Sequence, residues 1–473
     1  MNNKNIALME NERPAVAILR LALPMMLSMI AQMVYNMTDT FFIGQTGDPN
    51  MVAGISLAMP LFMVSQGIGN IFGIGASSYI SRLLGARRGT EAKQTCAVAF
   101  WTTFALGIFI TAALFLVRKP FLLVSGASDA TFAYADRYFS IINAFMVFAL
   151  LNITLSGQMR SEGATAKATQ GMLIGIVLNI VLDPLFILTL GWGVAGAAWA
   201  TIIGMIASVG YCCLHFISRR SVLSIHPKDC KPTARMYAEI LKIGIPSALS
   251  NIAMTVCFVF RNRIAASYGD FVIAGSSINN RIGSISFMLI MALAMGYQPF
   301  AGFNYGAKNI ERLKAGFRVT ILYATVLAVF FVVVFALGGR RIFTLFIRDA
   351  ATVDAGVKLL YATLWALPFV GLQMTMMVTF QALGKSVLAT IVTLGRDFLF
   401  YLPLLFLFNH LWRFNGFMYS QPVADGLTTI VALVLSARLF KTLKATDGVT
   451  IESGGGGGPP PPPRPADPHT RPD

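Results

Sequence analysis

The sequence predicts an all-α membrane protein of about twelve transmembrane helices, built as two six-helix lobes. The chain of 473 residues is 56% hydrophobic and 12% charged, with a mean hydropathy of +0.67. A soluble domain carries about 25% charged residues, so this chain has too little polar surface to face water. Its apolar runs are close to the roughly 20 residues that cross a bilayer core of about 30 Å. Landmarks of the first half also recur in the second half.

The apolar runs place twelve spans in two groups of six. The first group is 15–43, 51–76, 93–117, 132–157, 165–190 and 194–217, and the second is 236–268, 272–301, 314–337, 355–382, 387–409 and 415–440. We therefore expect an N-terminal segment 1–14, an N-terminal lobe 15–220, a linker 221–235 and a C-terminal lobe 236–445.

The remaining segment, 446–473, contains five Gly, five Pro and the run RPADPHTRPD. It has no periodicity and cannot bury a core, so it is expected to be disordered. Its abrupt composition fits an added linker or an altered reading frame, and it fits a native tail equally well.

Basic residues set the expected orientation, because Lys and Arg concentrate in cytoplasmic loops. Loops 46–50 and 191–193 carry neither residue type. The alternate loops are basic, with Arg82, Arg87, Arg88, Lys93, Arg219, Arg220, Lys228, Lys231, Arg235, Lys308, Arg312 and Lys314. Both termini are therefore expected in the cytoplasm of a bacterial inner membrane. This distribution accounts for the net charge of +16, and nucleic acid is not an expected partner.

The two halves repeat each other at a shift of about 222 residues. Ile18-Leu19-Arg20 followed by Pro24 matches Ile240-Leu241-Lys242 followed by Pro246, Gly85-Ala86-Arg87 matches Gly306-Ala307-Lys308, and Gly163 matches Gly384. Because six spans is an even number, both halves insert the same way up. The pseudo-twofold axis then lies along the membrane normal with a cleft between the lobes, as in alternating-access transporters.

Polar stripes mark the first and fifth spans. Ser28, Gln32, Tyr35 and Asp39 recur at helical spacing on the first. Ionisable residues inside spans are costly, at about 2.5–3.5 kcal/mol each at a helix centre, and they often mark ion pathways.

On the fifth span, Gly175, Asn179 and Asp183 recur every four residues, and Pro184 follows the acid. Two helices thus each carry one carboxylate, which predicts a shared cation or proton site in the N-terminal lobe. An equal alternative is that Asp39 approaches the outer interface and Asp183 bonds a neighbouring helix.

The C-terminal lobe carries arginines within its spans. At the repeat shift, Arg261 stands where the first half has Asp39. We expect Arg261 and Arg281 to line the cleft or pair across it, with snorkelling to an interface as the alternative. Arg396 and Asp397 are adjacent, so they are expected to bond different neighbours.

No enzyme or metal constellation accompanies these groups. The five cysteines and four histidines lack ligand spacing, and GxSxG, HExxH and Walker A motifs are absent from the sequence. We expect no cofactor and no enzymatic activity, and an ion gradient must supply the energy for any pumping.

The chain resembles the multidrug and toxic compound extrusion (MATE) family over nearly all of residues 10–445. The segments that carry the resemblance are LALPMMLSMIAQMVYNMTDTFFIGQTGD, GIGASSYISRLLGARR, QGMLIGIVLNIVLDPLFI followed by GWGVAGAAWATIIG, ILKIGIPSAL, and QPFAGFNYGAKN. It is similar to the DinF-like branch, in which acids on the first and fifth helices form the coupling site.

The resemblance implies that this coupling site is Asp39, Asp183, Asn179, Tyr138 and Thr201. The coupling ion is H⁺, Na⁺ or both, and Asp39, Asn179 and Asp183 are the candidate Na⁺ ligands. The related NorM-like branch instead uses acids on the seventh and tenth helices. Here the seventh carries Arg261 and Arg263, and residues 355–381 of the tenth lack an acid, which argues against a cation site in the C-terminal lobe.

The function implied is a monomeric antiporter that exports amphipathic, often cationic drugs in exchange for H⁺ or Na⁺. Pro24 is the candidate hinge, and the candidate substrate-cavity residues are Ser28, Gln32, Tyr35, Arg261 and Arg281. A lipid-linked precursor flippase of the same superfamily, or a membrane protein that does not transport, remains the alternative.

Overall fold

The computed structural model describes residues 4–57, 59–218 and 221–448, and within these ranges every regular element is helical. The predicted tail from 449 onward lies outside the described residues. In the N-terminal half the helices are α1 Lys4–Glu10, α2 Pro14–Gly44, α3 Pro49–Ser56, α4 Met59–Gly85, α5 Gly89–Leu116, α6 Arg118–Val124, α7 Asp129–Ala144, α8 Met146–Ser161, α9 Thr165–Asp183 and α10 Val194–Ile217, with a π-helix at Pro184–Thr189.

A short 3₁₀ turn, Pro227–Asp229, lies in the linker between the halves. The C-terminal half consists of α11 Ala234–Ala266, α12 Asp270–Gly306, α13 Ile310–Phe346, α14 Ala350–Leu364, α15 Leu367–Ala382, α16 Ser386–Leu394 and α17 Tyr401–Gly448, with a π-helix at Gly395–Leu399.

These elements form twelve crossings in the predicted order. Seven continuous helical stretches of the described chain are long and apolar enough to cross a membrane, and the bent pairs α7–α8 and α14–α15 each qualify as one more. The stretch 386–443 has 58 residues, or about 87 Å of helix against a bilayer core of about 30 Å, so it crosses twice. Helices α4 and α11 are long enough but more polar, and they pack against each other at the centre.

The boundaries differ from the predicted spans where helices continue past the apolar run. Helix α4 extends to Gly85 rather than residue 76, and α13 extends to Phe346 rather than residue 337. These extensions are amphipathic ends that project beyond the bilayer core, and a hydropathy pattern does not register them.

The repeat extends to the backbone conformation. Arg87 and Lys308 both have a φ of 58°, at equivalent positions of the two halves. Gly193 has φ 54° and ψ −125°, and Arg413, 220 residues later, has φ 49° and ψ −124°. This region of backbone space suits glycine and strains any other residue. The second half therefore keeps a bend that its own sequence disfavours.

The lobes contact each other through reciprocal glycines. A Cβ on Gly75 would collide with the backbone of Ile240 on α11, and one on Gly296 would collide with Ala22 on α2. Nearer the helix ends, Gly85 and Gly306 face the opposite helix of the α4–α12 pair in the same reciprocal way. The close approaches thus obey the pseudo-twofold symmetry.

These contacts lie near one end of the bundle, which we call the basic face: loops 86–88 and 307–309 and segment 221–233. Gly75, Gly244 and Gly296 each stand ten residues from a helix end there, or about 15 Å. Helix α1 lies across this face, where its Met9 carbonyl accepts from Asn304 Nδ2 at 3.3 Å and Arg312 Nε at 3.2 Å.

The strained Arg413 predicts an asymmetric response to substitution. Arg413→Gly should raise the melting temperature, because relief of a left-handed backbone is worth about 1 kcal/mol. Gly193→Ala should lower it by a similar amount, because it imposes the same strain. Thermal unfolding in detergent, followed by tryptophan fluorescence, measures both. Equal shifts of the same sign would contradict this account of the backbone.

Candidate functional site

The N-terminal lobe holds a polar cluster between α9 and α10, and two glycines create it. A Cβ on Gly175 would lie 2.7 Å from the Gly204 carbonyl oxygen, and one on Gly204 would lie 2.6 Å from the Gly175 carbonyl oxygen. The helices can therefore approach to backbone contact at this level. One turn further along each helix, side chains from α9 meet Thr201 of α10.

Asn179 bridges the two helices. In the orientation that gives both of its polar atoms a partner, its amide nitrogen donates to Asp183 Oδ2 at 3.0 Å and its oxygen accepts from the Thr201 backbone N–H at 3.1 Å. The Thr201 hydroxyl is 3.3 Å from the same amide. The exposed fractions of Asp183, Asn179 and Thr201 are 0%, 2% and 4%. The structure therefore brings together three of the predicted coupling residues in a buried site.

Asp183 is the last residue of α9, directly before the π-helix Pro184–Thr189. Pro184 has no N–H to donate to the preceding turn, so the helix widens here and leaves carbonyl oxygens for other partners. A carboxylate buried in a lipid-facing bundle requires a proton, a cation or hydrogen bonds to compensate it. The site therefore combines acidic, amide and hydroxyl oxygens next to irregular backbone.

Tyr138 joins this region from α7. It is 4% exposed and belongs to an apolar cluster with Ile187, Ala198 and Ile202. One turn earlier, the Tyr134 hydroxyl donates to Asp48 Oδ2 at 2.8 Å. This bond is the main cause of the lowered pKa of Asp48, which lies in the loop after α2. The contribution of this bond to stability is present above the unfolded pKa of Asp48 and is lost as the pH falls through the folded pKa.

The predicted residues of α2 occupy one helix that starts at the basic face. The position of Asp39 is helical, but its side chain lies outside the part of the chain that the structure describes. Ser28 is buried and donates to the Met25 carbonyl at 2.7 Å. Gln32 and Tyr35 are half-buried, and Gln32 Nε2 is 3.4 Å from Asn36 Oδ1.

The candidate hinge, Pro24, contacts the site helix directly. It lies inside α2, and its carbonyl accepts a hydrogen bond of 2.9 Å from the Thr169 hydroxyl of α9. Helix α9 thus contacts the hinge at Thr169 and carries Asn179 and Asp183 further along.

A second polar cluster lies in the C-terminal lobe, around a cavity of about 420 Å³. Arg261 lines this cavity, whereas Arg281 is exposed on α12 and is not among the lining residues. Arg396 Nε forms an ion pair of 2.9 Å with Asp425 Oδ1, so it does bond a neighbour other than Asp397. Sequence reasoning missed Asp425. An acid inside the predicted span 415–440 was the available signal, of the same kind as the one that identified Asp183.

The glycine contact behind Asn179 can be tested with a control on the same helix. Gly204→Val should lower the melting temperature markedly, because overpacking a closed contact costs about 1–3 kcal/mol. Gly210→Val should leave it near the wild-type value, because a Cβ at Gly210 meets only open space. Thermal unfolding of both variants in the same detergent measures the difference. Equal melting temperatures would show that the α9–α10 contact is loose.

Comparisons with known proteins add to this geometry. The MatE family profile matches residues 24–185 and 246–407, two stretches whose starts are 222 residues apart, at the repeat shift. The multidrug export protein MepA of Staphylococcus aureus (strain N315) is 31% identical over 440 residues, which cover 92% of this chain and 96% of MepA.

Solved structures are similar over the whole bundle. A multidrug resistance MATE family transporter of the MOP superfamily, solved in an outward-facing conformation, has a TM-score of 0.89 at 26% identity and covers 94% of this chain and 100% of its own. A MOP superfamily transporter from Pyrococcus furiosus, described as having a binding pocket of reverse polarity that suggests a different function, has a TM-score of 0.88 at 27% identity. It covers 94% of this chain and 99% of its own.

Proposed function

This chain belongs to the MatE family, whose members are transporters, and we propose that it is a secondary active multidrug exporter. It exports amphipathic, often cationic compounds across a bacterial inner membrane in exchange for H⁺ or Na⁺. The observation that carries the proposal is Asp183, fully buried on α9 next to Asn179 and Thr201. The likeness to the export protein MepA over 92% of the chain supports the choice of drugs as substrates.

The coupling ion binds at Asp183 as transported cargo. Carboxylate, amide and hydroxyl oxygens from Asp183, Asn179 and Thr201 suit either a proton or a hard cation such as Na⁺. Asp39 contributes the second acid, and Tyr138 closes the site from α7; both assignments come from the sequence match. Substrate and ion then compete, because an acid that holds a cation no longer attracts a cationic drug.

Ion occupancy reaches the cleft through α2. Helix α9 touches the Pro24 carbonyl through Thr169, and proline is the common site of a helix bend. A change in packing at Asp183 therefore shifts α9 against a helix that bends readily at Pro24. Ser28, Gln32 and Tyr35 lie beyond that hinge on α2, where its bending changes the substrate surface.

The basic face acts as the closed gate of alternating access. The Arg82 guanidinium of α4 and the Glu239 carboxylate of α11 form an ion pair of 2.9 Å between the lobes. Close to it, the Ser78 hydroxyl donates to the Gln381 carbonyl of the other lobe. With both termini in the cytoplasm, as we propose, this state opens outward and works as a monomer.

The gradient supplies enough free energy for this exchange. One charge that crosses 100 mV releases about 2.3 kcal/mol, which supports a substrate gradient of roughly 50-fold. The alternative, a lipid-linked precursor flippase, needs a strongly basic cavity. The cavity of the C-terminal lobe instead balances Arg261 and Arg396 with Asp397 and Asp425, which favours the exporter.

Asp183→Asn tests the coupling role. In proteoliposomes with an imposed pH or Na⁺ gradient, this variant should lose ethidium export driven by the gradient, because its amide cannot hold an exchangeable cation. Asp129→Asn, which alters an exposed acid at the start of α7, should export like the wild type. Full export by Asp183→Asn would remove the assigned role, and transport of a lipid-linked sugar without ethidium export would favour the flippase.

A charge exchange tests the gate. Arg82→Glu should increase the labelling rate of a cysteine placed at Ile240 severalfold in inverted vesicles, because repulsion from Glu239 opens the basic face. Adding Glu239→Arg should restore the slow rate. Arg88→Glu is the control, because Arg88 pairs with Glu91 within one lobe. A rate that the second substitution leaves high would contradict an inter-lobe gate at this pair.

A further inference from the structure

The cavity of the C-terminal lobe has the properties of a ligand site. It lies inside that lobe, with walls from α11, α12, α14, α15, α17 and the π-helix Gly395–Leu399. Its volume of about 420 Å³ falls in the range of small-molecule pockets, roughly 300–1,000 Å³. Aromatic and thioether side chains cover much of the wall, among them Phe258, Phe287, Phe335, Phe417 and Met418.

Arg261 is the cation of this cavity that lacks a carboxylate. Its Nη1 donates to Asn280 Oδ1 at 2.7 Å and its Nη2 to Ser276 Oγ at 3.3 Å. Both partners are neutral, and no carboxylate of the described residues lies within 4.0 Å of the guanidinium. A guanidinium has five N–H donors, arranged to bind a carboxylate through two of them. Arg261 therefore retains donors for an anionic group in the cavity.

Two other charges of the cavity already compensate each other. Arg396 and Asp425 are 16% and 3% exposed at their side chains and are joined by the 2.9 Å ion pair. Gln421 Nε2 adds a contact of 3.4 Å to Asp425 Oδ1, and the Arg396 guanidinium lies 5.0 Å from the centre of the Phe287 ring. This pair ties the π-helix to α17 and leaves the net charge of the wall unchanged.

Asp397 is the remaining acid of the wall. It is half-buried, lines the cavity, and forms no ion pair with the side chains that the structure describes. The cavity thus presents one uncompensated cation on α11 and one uncompensated anion on the π-helix, within an apolar lining. A ligand with a single charge satisfies one of them and opposes the other, whereas a zwitterion satisfies both.

We propose that this cavity binds amphipathic zwitterions, with the ligand carboxylate at Arg261 and its cationic group at Asp397. This inference rests on the proposed export function and specifies a substrate class for it. Arg261 is then the residue that distinguishes ligands with a carboxylate from plain cations. A purely structural Arg261, which only ties α11 to α12 through Asn280, would change stability without changing that selectivity.

Tetramethylrhodamine and its methyl ester test the proposal, because they differ in the carboxylate alone. Fluorescence anisotropy of the purified protein in detergent measures both affinities without a gradient. Arg261→Gln should weaken tetramethylrhodamine binding about tenfold, a difference of about 1.4 kcal/mol, and leave the ester within about twofold. Asp397→Asn should weaken both dyes. Arg263→Gln, at an exposed arginine of the same helix, should weaken neither.

Equal weakening of both dyes by Arg261→Gln would overturn the proposal in favour of a structural role. Arg261→Lys separates the two roles if the glutamine variant unfolds, because it keeps the charge and should retain a preference for the acid over the ester. Wild-type protein that binds the ester but not the acid also overturns the proposal, even where Asp183 still couples ethidium export. Conversely, acid-selective binding with uncoupled export would leave this site intact and remove the coupling mechanism.

Discussion

A buried acid in a lipid-facing bundle is the constraint on which this architecture depends. Asp183 is fully buried, and lipid offers no water to compensate a charge there. The compensation comes from α10, which two glycines allow to approach α9 so closely that Asn179 reaches both Thr201 and Asp183. The same α9 contacts the Pro24 carbonyl, so the group most sensitive to a bound cation belongs to a helix that touches the hinge.

The two lobes share a backbone but not a charge pattern, and the functional proposals follow from that difference. Gly193 and Arg413 have nearly the same φ and ψ, and glycines make reciprocal contacts between the lobes. The N-terminal lobe contains an acid among neutral polar groups, whereas the C-terminal lobe encloses the balanced pair Arg396–Asp425. Symmetry thus explains how the lobes move against each other, and its absence in the charges explains why ion and zwitterion would use different lobes.

Local patterns predicted much of this structure. The crossings and the repeat follow from apolar length and from glycine and proline landmarks, and the spacing of Asn179 and Asp183 predicted one helix face. Thr201 and Tyr138 entered only through the family resemblance, because their helices meet the site through tertiary packing. The Arg82–Glu239 pair joins residues 157 positions apart, and no periodicity encodes such a contact. The π-helices at 184–189 and 395–399 depend on side-chain packing, which propensity does not capture.

The most direct test of the central claim is ion release on substrate binding, without a membrane or a gradient. Purified protein in weakly buffered detergent receives ethidium while a pH indicator and a Na⁺ electrode follow the solution. If Asp183 exchanges its cation for substrate, the wild type releases about one H⁺ or Na⁺ per bound ethidium, and Asp183→Asn binds ethidium without release. Equal release from both proteins, or release from neither, would contradict the account.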